Sequence, residues 1–440
     1  MSATPARTSN APYHRSMNRP LFSRSASSGG TAFLVGAGLL AAAISGCTTN
    51  DGPSESAADP SIVRTAFHDF RVVEVVDGLV HPFSMAFTPE GDLLVTERPG
   101  RLRIVRDGVL LSDPVEGIPE VLYLGSGAKS MNGREQAGMR DVVLHPDFDE
   151  NRLLYLSYTK PGADSLGNIA VVRGRFEGDR LHDVEEIFHA DAFGDGSDRS
   201  SQWGGRMAFD HDGYLIVTIG DRQWPSAGDL EAHPAQDLGN HNGTTVRLHD
   251  DGTVPDDNPL VGQVGVQPEI WTWGHRNAQG LGVHPETGDV WLNEHGPQGG
   301  DELNLVLPGR NYGWPVVGYG VNYRTGLAIH GGTHREDMEP PVHVWVPSIG
   351  VSGMLFYTGD AFSDWQGDML VVGLGGRQVV RLELGGQEVV REEVVLQTEE
   401  RLRDIRQGPD GLIYIAVDGD ARGFDGDPTP IVRLDPTGRR

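Results

Sequence analysis

A short pattern that recurs six times constrains the fold of this chain more than any other feature. Each copy has an apolar strand, a turn rich in Pro, Asp and Gly, and a second apolar strand. The copies lie at Met85, Val142, Met207, Leu281, Met354 and Ile405. Their equivalent positions are roughly 50 to 75 residues apart, which is enough for one four-stranded sheet with its loops. The repeat therefore predicts an all-β fold, a six-bladed β-propeller with four-stranded antiparallel blades.

The turns and strands within each copy agree with this prediction. Asp-Gly, Glu-Gly and Thr-Gly turns between apolar runs are typical of β-hairpins. Runs such as residues 214–220 (YLIVTIG) are apolar almost throughout, as expected for strands that neighbouring blades bury on both faces. Strands near Phe70 and Pro430 could share one blade and close the ring. An array of hairpins or a β-sandwich is the alternative. The unequal spacing indicates long insertions, which we expect on one face, where a site would form.

The N-terminus has the features of an export signal. Residues 1–30 are basic and Ser-rich, residues 31–45 are apolar, and residues 44–47 read Ile-Ser-Gly-Cys, which resembles a bacterial lipobox. We therefore predict a lipoprotein-type signal peptide over residues 1–46, lipidation of Cys47, a flexible tether over 47–66 and the propeller over 67–437. Thr48, rather than an acid, favours the outer membrane, facing the periplasm. An ordinary secretory signal is the alternative.

The charge of the chain argues against one class of partner. The formal net charge is -26, and every acidic residue lies after residue 50. Such a surface repels the phosphates of nucleic acids and the anionic heads of lipids. We therefore expect no nucleic acid partner, and contact with a membrane only through the lipid anchor.

Several arginines could line the axis of the propeller. Arg276 and Asn277 follow a Trp-rich strand, where the chain would leave a blade toward the axis. Arg401 and Arg403 alternate and so face one side of a strand. Three guanidinium groups that converge on an axis would hold a multiply charged planar anion through paired hydrogen bonds. Separately, each of these arginines could be a surface ion-pair partner.

A turn at residues 294–297 (Glu-His-Gly-Pro) could bind a cation. Gly296 allows unusual backbone angles and Pro297 has no N–H, so successive carbonyl groups can point to one spot. Carbonyl oxygens are hard ligands suited to Ca²⁺. Glu302 and Tyr312, which flank the next turn, could complete a separate calcium site. A purely structural turn is the alternative.

Longer motifs connect these residues to a known family. They read HRNAQG, LNEHGPQGGDELN, NYGWP, GREQAGMRDVVLHPDF, GGRMAFDHDGYLIVTIGD and RLRDIRQGPDGLIYI. Through these motifs, which occur in the same order along the chain, residues 67–437 resemble the soluble aldose (glucose/sorbosone) dehydrogenases that depend on pyrroloquinoline quinone (PQQ). That family is a six-bladed propeller.

The resemblance implies two cofactors, PQQ and Ca²⁺. It places a calcium ion on the backbone carbonyls of Gly296 and Pro297, and PQQ above the axis on that ion. The polar contacts of PQQ fall on Gln136, Arg276, Asn277, Arg401 and Arg403. The structural calcium of close relatives falls on Glu302 and Tyr312.

The resemblance also implies a reaction and its partners. A general base removes a hydroxyl proton from a small sugar while hydride passes to the quinone, and an aldose becomes a lactone. Arg276 would steady the negative charge that develops on the quinone oxygen. The electrons then pass to a separate acceptor.

Two positions depart from the family pattern. The family's base is a histidine, and the matching residue is Gln202, whose amide cannot usefully accept a proton; Asp221, which matches the acid that orients that histidine, is present. A cofactor-contacting lysine falls on Gly375, although Arg377 could replace its charge. We consider that Asp221 itself, or His241 from another loop, supplies the base.

Two other functions remain open on sequence grounds. Because of Gln202, the protein could be a non-catalytic or weakly active propeller that binds PQQ or glycans. It could also be a calcium-dependent lactonase, which needs several carboxylates around one metal. The acids that could serve are Glu97, Asp141, Asp221 and Glu294.

Overall fold

The computed structural model describes residues 59, 61–123, 136–162, 167–194, 201–419 and 427–439. The predicted signal peptide, the predicted lipidation site Cys47 and most of the predicted tether lie outside the described residues. Within those ranges, no helix is long and apolar enough to cross a membrane.

The described chain is built almost entirely of β-strands. In chain order they are β1 (Ile62–Arg64), β2 (His68–Leu79), β3 (Pro82–Phe87), β4 (Leu93–Glu97), β5 (Arg101–Arg106), β6 (Val109–Leu110), β7 (Met139–Leu144), β8 (Leu153–Lys160), β9 (Asn168–Glu177), β10 (Arg180–His189), β11 (Gly204–Phe209), β12 (Leu215–Ile219), β13 (Thr244–Leu248), β14 (Ile270–Trp273), β15 (Ala278–Val283), β16 (Val290–Glu294), β17 (Asp301–Leu305), β18 (His343–Trp345), β19 (Val351–Phe356), β20 (Met369–Gly373), β21 (Gln378–Gly385), β22 (Glu388–Gln397), β23 (Leu402–Gln407), β24 (Ile413–Val417) and β25 (Thr429–Arg439). One short helix, α1 (Phe148–Asn151), and three 3₁₀ turns (Leu230–Ala232, Pro234–Gln236 and Ser363–Trp365) lie between them.

The strands form six antiparallel sheets, which confirms the predicted six-bladed propeller. Blades 1 to 5 are β3–β6, β7–β10, β11–β14, β15–β18 and β19–β22. The first strand of each blade contacts the first strands of both neighbouring blades, and β23 contacts β3, so the ring closes. Each of the six sequence repeats falls in a separate blade, as predicted, and forms the first two strands of that blade.

Blade 6 joins the two ends of the described chain. Its order is β1-β2-β25-β24-β23, and β2 pairs with β25. The strands near Phe70 and Pro430 therefore share a blade, as their sequences suggested. Strand β1 lies within the stretch predicted as tether, so strand pairing begins before residue 67 and continues past residue 437 to Arg439.

The hairpins and the core explain why these segments form blades. Gly91 and Gly213, in the turns between the first and second strands of blades 1 and 3, have positive φ angles that glycine tolerates best. The second strands β4, β12, β16, β20 and β24 are buried along their whole length, because side chains from adjacent blades cover both faces. The hydrophobic core thus lies between neighbouring sheets.

Charged side chains fill the centre of the ring. Arg206 lies 3.0 Å from Asp404 and 3.6 Å from Asp141, and its exposed fraction is 2%. Arg406 approaches the same two carboxylates at 3.3 and 3.7 Å. These groups come from the first strands of blades 2, 3 and 6, so their ion pairs tie the blades together at the axis.

Candidate active site

The candidate site residues lie on one face of the ring. In each blade the first strand begins, and the antiparallel second strand ends, at this face. Register pairs such as Pro82 with Glu97 and Ala278 with Glu294 mark that edge. Residues just before a first strand or just after a second strand, Asp221 among them, therefore gather around the axis.

Three of the predicted site residues form one hydrogen-bonded chain. In the amide orientation that satisfies both neighbours, the Gln202 nitrogen donates to the carboxylate of Asp221 and its oxygen accepts from Arg276 Nη2 at 2.8 Å. The backbone N–H of Gln202 donates to Gln136 Oε1 at 3.2 Å. The predicted cofactor contact Gln136 thus adjoins the position of the missing base.

The backbone fixes Gln202 firmly at this place. Its φ angle is 56°, in the left-handed region, and its carbonyl accepts from the N–H of Arg222 at 3.2 Å. A side chain at Gly220 would place its Cβ 2.0 Å from that carbonyl oxygen, so the neighbouring strand must carry glycine there. The side chain of Gln202 is consequently held over Asp221.

Asp221 is fully buried behind Gln202. Trp314 Nε1 donates to its Oδ2 at 2.7 Å, and the N–H of Gln223 donates to its Oδ1 at 2.8 Å. Burial raises the pKa of Asp221 to about 7, against the opposing effect of Arg276 and these hydrogen bonds. The carboxyl group can therefore exchange a proton near neutral pH, but it is fully buried and hydrogen-bonded to Gln202.

Arg276 connects the hydrogen bonds of Gln202 and Asp221 to the predicted calcium turn. Its Nη1 donates to the carbonyls of His295 at 2.9 Å and Gly296 at 2.8 Å. Its guanidinium carbon lies 5.2 Å from the centre of the Trp314 ring. The carbonyl of Pro297, the other predicted ligand, instead accepts from Ser348 Oγ at 3.5 Å. Two consecutive carbonyls, those of His295 and Gly296, thus converge on one cationic group.

Glu294, the first residue of the predicted calcium turn, binds the neighbouring segment that carries Arg276 and Asn277. Its carboxylate accepts from the N–H of Arg276 at 2.5 Å and of Asn277 at 3.3 Å, and it lies 2.8 Å from His275 Nδ1. Burial opposes ionisation, but His275 and these donors outweigh it and lower the pKa of Glu294. A buried anion therefore orients the backbone of Arg276 and Asn277, two of the predicted cofactor contacts.

Arg401 and Arg403 lie around one carboxylate, that of Asp418. Arg403 Nη2 donates to Asp418 Oδ2 at 2.6 Å, and Arg403 Nη1 donates to Gln279 Oε1 at 3.3 Å. Burial would raise the pKa of Asp418, but Arg403, then His81, Arg98 and Arg401, hold it well below its usual value. The structure therefore brings both arginines near Asp418. Their alternating spacing predicted that both lie on one strand, but Arg401 precedes strand β23 instead of lying on it.

Several arginines lie close together near the centre of this face. Burial, and then the nearby Arg403, Arg98 and Arg206, lower the pKa of Arg140 well below its ordinary value. Burial, Arg276 and Arg403 likewise lower the pKa of His295 to about 4, so this imidazole is neutral at pH 7. Asn277 is linked to Arg403 through Gln279, whose amide donates to Asn277 Oδ1 at 3.0 Å. The arrangement suits an anion.

Glu302 and Tyr312 lie side by side next to this centre. Both line two small neighbouring cavities, and the second cavity also contains Arg276, Glu294 and Gly296. Burial and the nearby Glu294 raise the pKa of Glu302 well above its usual value. The hydroxyl of Tyr312 donates to the carbonyl of Leu305 and accepts from the N–H of Leu307, so it is already engaged within the protein. The second calcium site stays a prediction.

The other sequence candidates lie elsewhere or are engaged. His241 Nδ1 accepts from the N–H of Asp191 at 2.8 Å and Nε2 lies 3.0 Å from Glu269 Oε1, so the structure contradicts its proposed role as the base. Gly375 is exposed, and Arg377 donates to the carbonyl of Glu399 at 3.3 Å. Whether Arg377 replaces the family's lysine charge stays a prediction.

The four acids considered for a lactonase are held in separate pairings. Their partners are Arg101 for Glu97, Arg206 for Asp141, Gln202 for Asp221 and His275 for Glu294. Among the described residues, no group of three or more His, Cys, Asp or Glu side chains is placed to hold a metal ion. The arrangement gives the lactonase alternative no support.

Sequence reasoning missed several residues that organise the site. Trp314, Gln279 and Arg140 are buried links between the predicted contacts. Trp314 lay within the NYGWP motif and could have been singled out as an indole donor. Gln279 and Arg140 likewise lay within the HRNAQG and GREQAGMRDVVLHPDF motifs, but their partners come from other blades, so the sequence did not show these contacts.

Comparison with known proteins agrees with this architecture. Residues 79–424 match the family described as Glucose / Sorbosone dehydrogenase. The chain is 38% identical to the aldose sugar dehydrogenase YliI of Escherichia coli over 353 residues, covering 79% of this chain and 90% of that protein. It is 25% identical to quinoprotein glucose dehydrogenase B of Acinetobacter calcoaceticus over 432 residues, covering 81% and 87%.

A solved structure shares the fold. The PQQ-bound aldose sugar dehydrogenase of Streptomyces coelicolor superposes with a TM-score of 0.63 at 25% identity, covering 83% of this chain and 98% of that one. The family match spans most of the propeller, and the sequence motifs at the axis lie within it. This chain belongs to the glucose/sorbosone dehydrogenase family.

Proposed function

We propose that this protein is a PQQ- and calcium-dependent dehydrogenase that oxidises aldoses or related polyols to lactones. The observation that carries the proposal is the gathering of arginines at the axis of a protein whose net charge is -26. Burial first, and then the nearby Arg403, Arg98 and Arg206, lower the pKa of Arg140, so several guanidinium groups lie close together where a bound anion would be stabilised. The quinoprotein relative and the PQQ-bound structure support PQQ as that anion.

The residues present fit a calcium ion as well. The carbonyls of His295 and Gly296 converge on a single cationic group, and carbonyl oxygens are hard ligands of the kind that Ca²⁺ takes. The turn is tight, because a Cβ at Gly296 would lie 2.0 Å from the carbonyl oxygen of Gly300. We propose that Gly296, with His295 or Pro297, supplies the oxygen ligands.

The chain's own residues would bind and orient PQQ. Arg276 and Gln136 both form hydrogen bonds with Gln202, Asn277 is linked to Arg403 through Gln279, and Arg401 lies near Asp418 with Arg403. When bound, PQQ supplies the acceptor for hydride. Arg276 would stabilise negative charge on that acceptor, because its guanidinium lies in a largely buried site where charge is poorly screened.

Proton removal is the weak step in this arrangement. Gln202 offers its amide hydrogens to Asp221 and its oxygen to Arg276, so it has no basic atom for the substrate. Asp221 has a suitable pKa but lies behind Gln202. We propose that Asp221 accepts the proton after the side chain of Gln202 turns away, which makes turnover slow. Loss of a general base typically costs about 10² to 10⁴ in rate.

The same observation favours a second candidate, a propeller that binds PQQ without turnover. One experiment separates the two. Purified protein is mixed with PQQ and Ca²⁺, its absorption spectrum is recorded, and a panel of aldoses is added with an artificial electron acceptor. Dye reduction supports the dehydrogenase, and PQQ uptake without dye reduction supports the binding propeller. Failure to take up PQQ contradicts both.

We also propose that the protein is exported and anchored by lipid at Cys47, so that sugar oxidation takes place in the periplasm. The lipobox-like residues 44–47 support this location. Metabolic labelling with an alkynyl fatty acid tests it. Label on the parent protein and none on Cys47→Ser is the expected result; an unlabelled parent protein would overturn it.

A further inference from the structure

We propose that Arg276 is the resident cation of the site formed by the His295 and Gly296 carbonyls, and that it competes with a metal ion for this position. The inference rests on the proposed function for the identity of the metal, Ca²⁺. It adds that the protein's own guanidinium group binds the two carbonyls that the metal would use. Metal binding then requires Arg276 Nη1 to leave two hydrogen bonds of 2.9 and 2.8 Å.

The carbonyls cannot easily turn away instead, because the turn is fixed on both sides. Asp301 Oδ1 accepts from the N–H of Gly296 at 3.1 Å, and its Oδ2 accepts from the N–H groups of Gly350 at 2.6 Å and Val351 at 3.1 Å. The ring of His295 lies 2.7 Å from the carbonyl oxygen of Val351. Asp301 therefore ties the turn to blade 5, and the long side chain of Arg276 is the part that can move.

Arg276 has other partners on the opposite side. Its Nη2 already donates to Gln202 at 2.8 Å, and Asp221 lies near enough for the guanidinium to lower its pKa. The face of Trp314 supports the guanidinium in between. Arg276 can thus release the carbonyls and stay in contact with the protein through the hydrogen bond from its Nη2 to Gln202. The side chain of Arg276 would therefore have two positions, one on the carbonyls of His295 and Gly296 and one away from them when a metal ion is bound.

Calcium titration of the protein without PQQ tests the competition. Isothermal titration calorimetry is carried out on chelator-treated protein in a Glu302→Gln background, which removes the other predicted calcium ligand. We expect Arg276→Gln to bind Ca²⁺ about tenfold more tightly than the background protein, because charge-assisted hydrogen bonds no longer hold the carbonyls. Equal or weaker binding by Arg276→Gln, or no binding by either protein, would overturn the proposal.

A matched variant separates competition from simple removal of positive charge. Arg403→Gln removes the same charge from the same face, but Arg403 contacts Asp418 and Gln279 rather than the carbonyls. We expect its calcium affinity to change less than threefold. A gain equal to that of Arg276→Gln would show a general electrostatic effect and contradict the proposal. Arg276→Lys keeps the charge and should fall between the background protein and Arg276→Gln.

Terbium luminescence reports on the position of the ion. Tb³⁺ bound at the carbonyls would lie near the indole of Trp314, which can sensitise its emission. Emission should be strong in Arg276→Gln and weak after Trp314→Phe is added. Because neither measurement uses PQQ or sugar, a protein that never reduces dye can still confirm the competition. Conversely, an unchanged calcium affinity leaves the proposed dehydrogenase standing.

Discussion

The amide of Gln202 donates to the carboxylate of Asp221, and its oxygen accepts from Arg276 at 2.8 Å. The side chain therefore stands between an acid and a guanidinium. A histidine here would turn one N–H toward Asp221 and leave its other nitrogen as a base. The glutamine keeps the hydrogen bond to the acid but has no basic nitrogen.

We expect Gln202→His to raise PQQ-dependent turnover. The imidazole would receive its orientation from Asp221 and could accept the substrate proton directly, so kcat should rise by about 10² to 10⁴. Stopped-flow reduction of bound PQQ by an aldose measures this step without interference from the dye. Gln202→Asn, which keeps an amide, is the control and should show no increase. Equal rates for Gln202→His and the parent protein would contradict the interpretation of Gln202.

Asp221→Asn should change how stability depends on pH. Burial raises the pKa of Asp221 from 3.8 to about 7, so between these values the folded protein keeps a proton that the unfolded chain has released. The unfolded state then binds fewer protons, and this residue makes the free energy of unfolding fall as pH rises. Relative to the parent protein, Asp221→Asn should therefore gain about 2 to 3 kcal/mol between pH 5 and pH 8.

Urea denaturation at the two pH values measures this gain. The control is Asp212→Asn, an exposed turn residue, which should follow the parent protein at both pH values. Each variant is compared with the parent protein at the same pH. The contributions of other titrating groups to the free energy of unfolding therefore cancel. A constant difference between Asp221→Asn and the parent protein would mean that Asp221 is already ionised at pH 5 in the folded state.

Trp314→Phe should destabilise the protein more at pH 8 than at pH 5. The variant keeps a ring beneath Arg276 but loses the indole N–H that donates to Asp221 at 2.7 Å. A hydrogen bond to a buried carboxylate is worth about 1 to 3 kcal/mol, and it is strongest when the carboxylate is ionised. Trp291→Phe is a suitable control, since Trp291 Nε1 has no hydrogen-bond partner among the described residues. Equal losses of Trp314→Phe at both pH values would be inconsistent with this role.

The fold was predictable from local sequence because each blade is a local structure. Hairpin turns and apolar runs specify the first two strands of every blade, and their sixfold repetition specifies the ring. The pairing that completes the sixth blade was also predictable, since the strands near Phe70 and Pro430 belong to none of the six repeats. The short strand β1 was missed, because Ile62–Arg64 is stable only through its pairing with β2.

The site was less predictable, because its geometry depends on contacts between blades. Motifs marked Arg276, Gly296 and Asp221, but no pattern showed that Arg276 would reach the carbonyls of His295 and Gly296. His241 was a reasonable candidate by residue type, yet the fold directs its ring to Glu269. The sequence therefore predicts which residue types are available for the site. The direction of each side chain depends on contacts between blades and is known only from the structure of the ring.

The ion pairs at the axis lead to a prediction about stability. Arg206 is buried between Asp404 and Asp141, which lie in different blades. Arg206→Met would fill similar volume but leave two buried carboxylates with less positive charge nearby. Removal of one partner from a buried ion pair typically costs about 3 to 5 kcal/mol. We expect a loss of this size in urea denaturation at pH 8.

A second substitution shows whether uncompensated charge causes that loss. Burial already raises the pKa of Asp404, and the attraction of Arg406 and Arg206 opposes the shift. Without Arg206 the pKa of Asp404 should rise further, so Arg206→Met should lose less stability at pH 5 than at pH 8. Arg206→Met combined with Asp404→Asn should recover part of the stability at pH 8, because one buried charge is removed. A double variant as unstable as the single one would show that packing at the axis, rather than charge, holds the blades together.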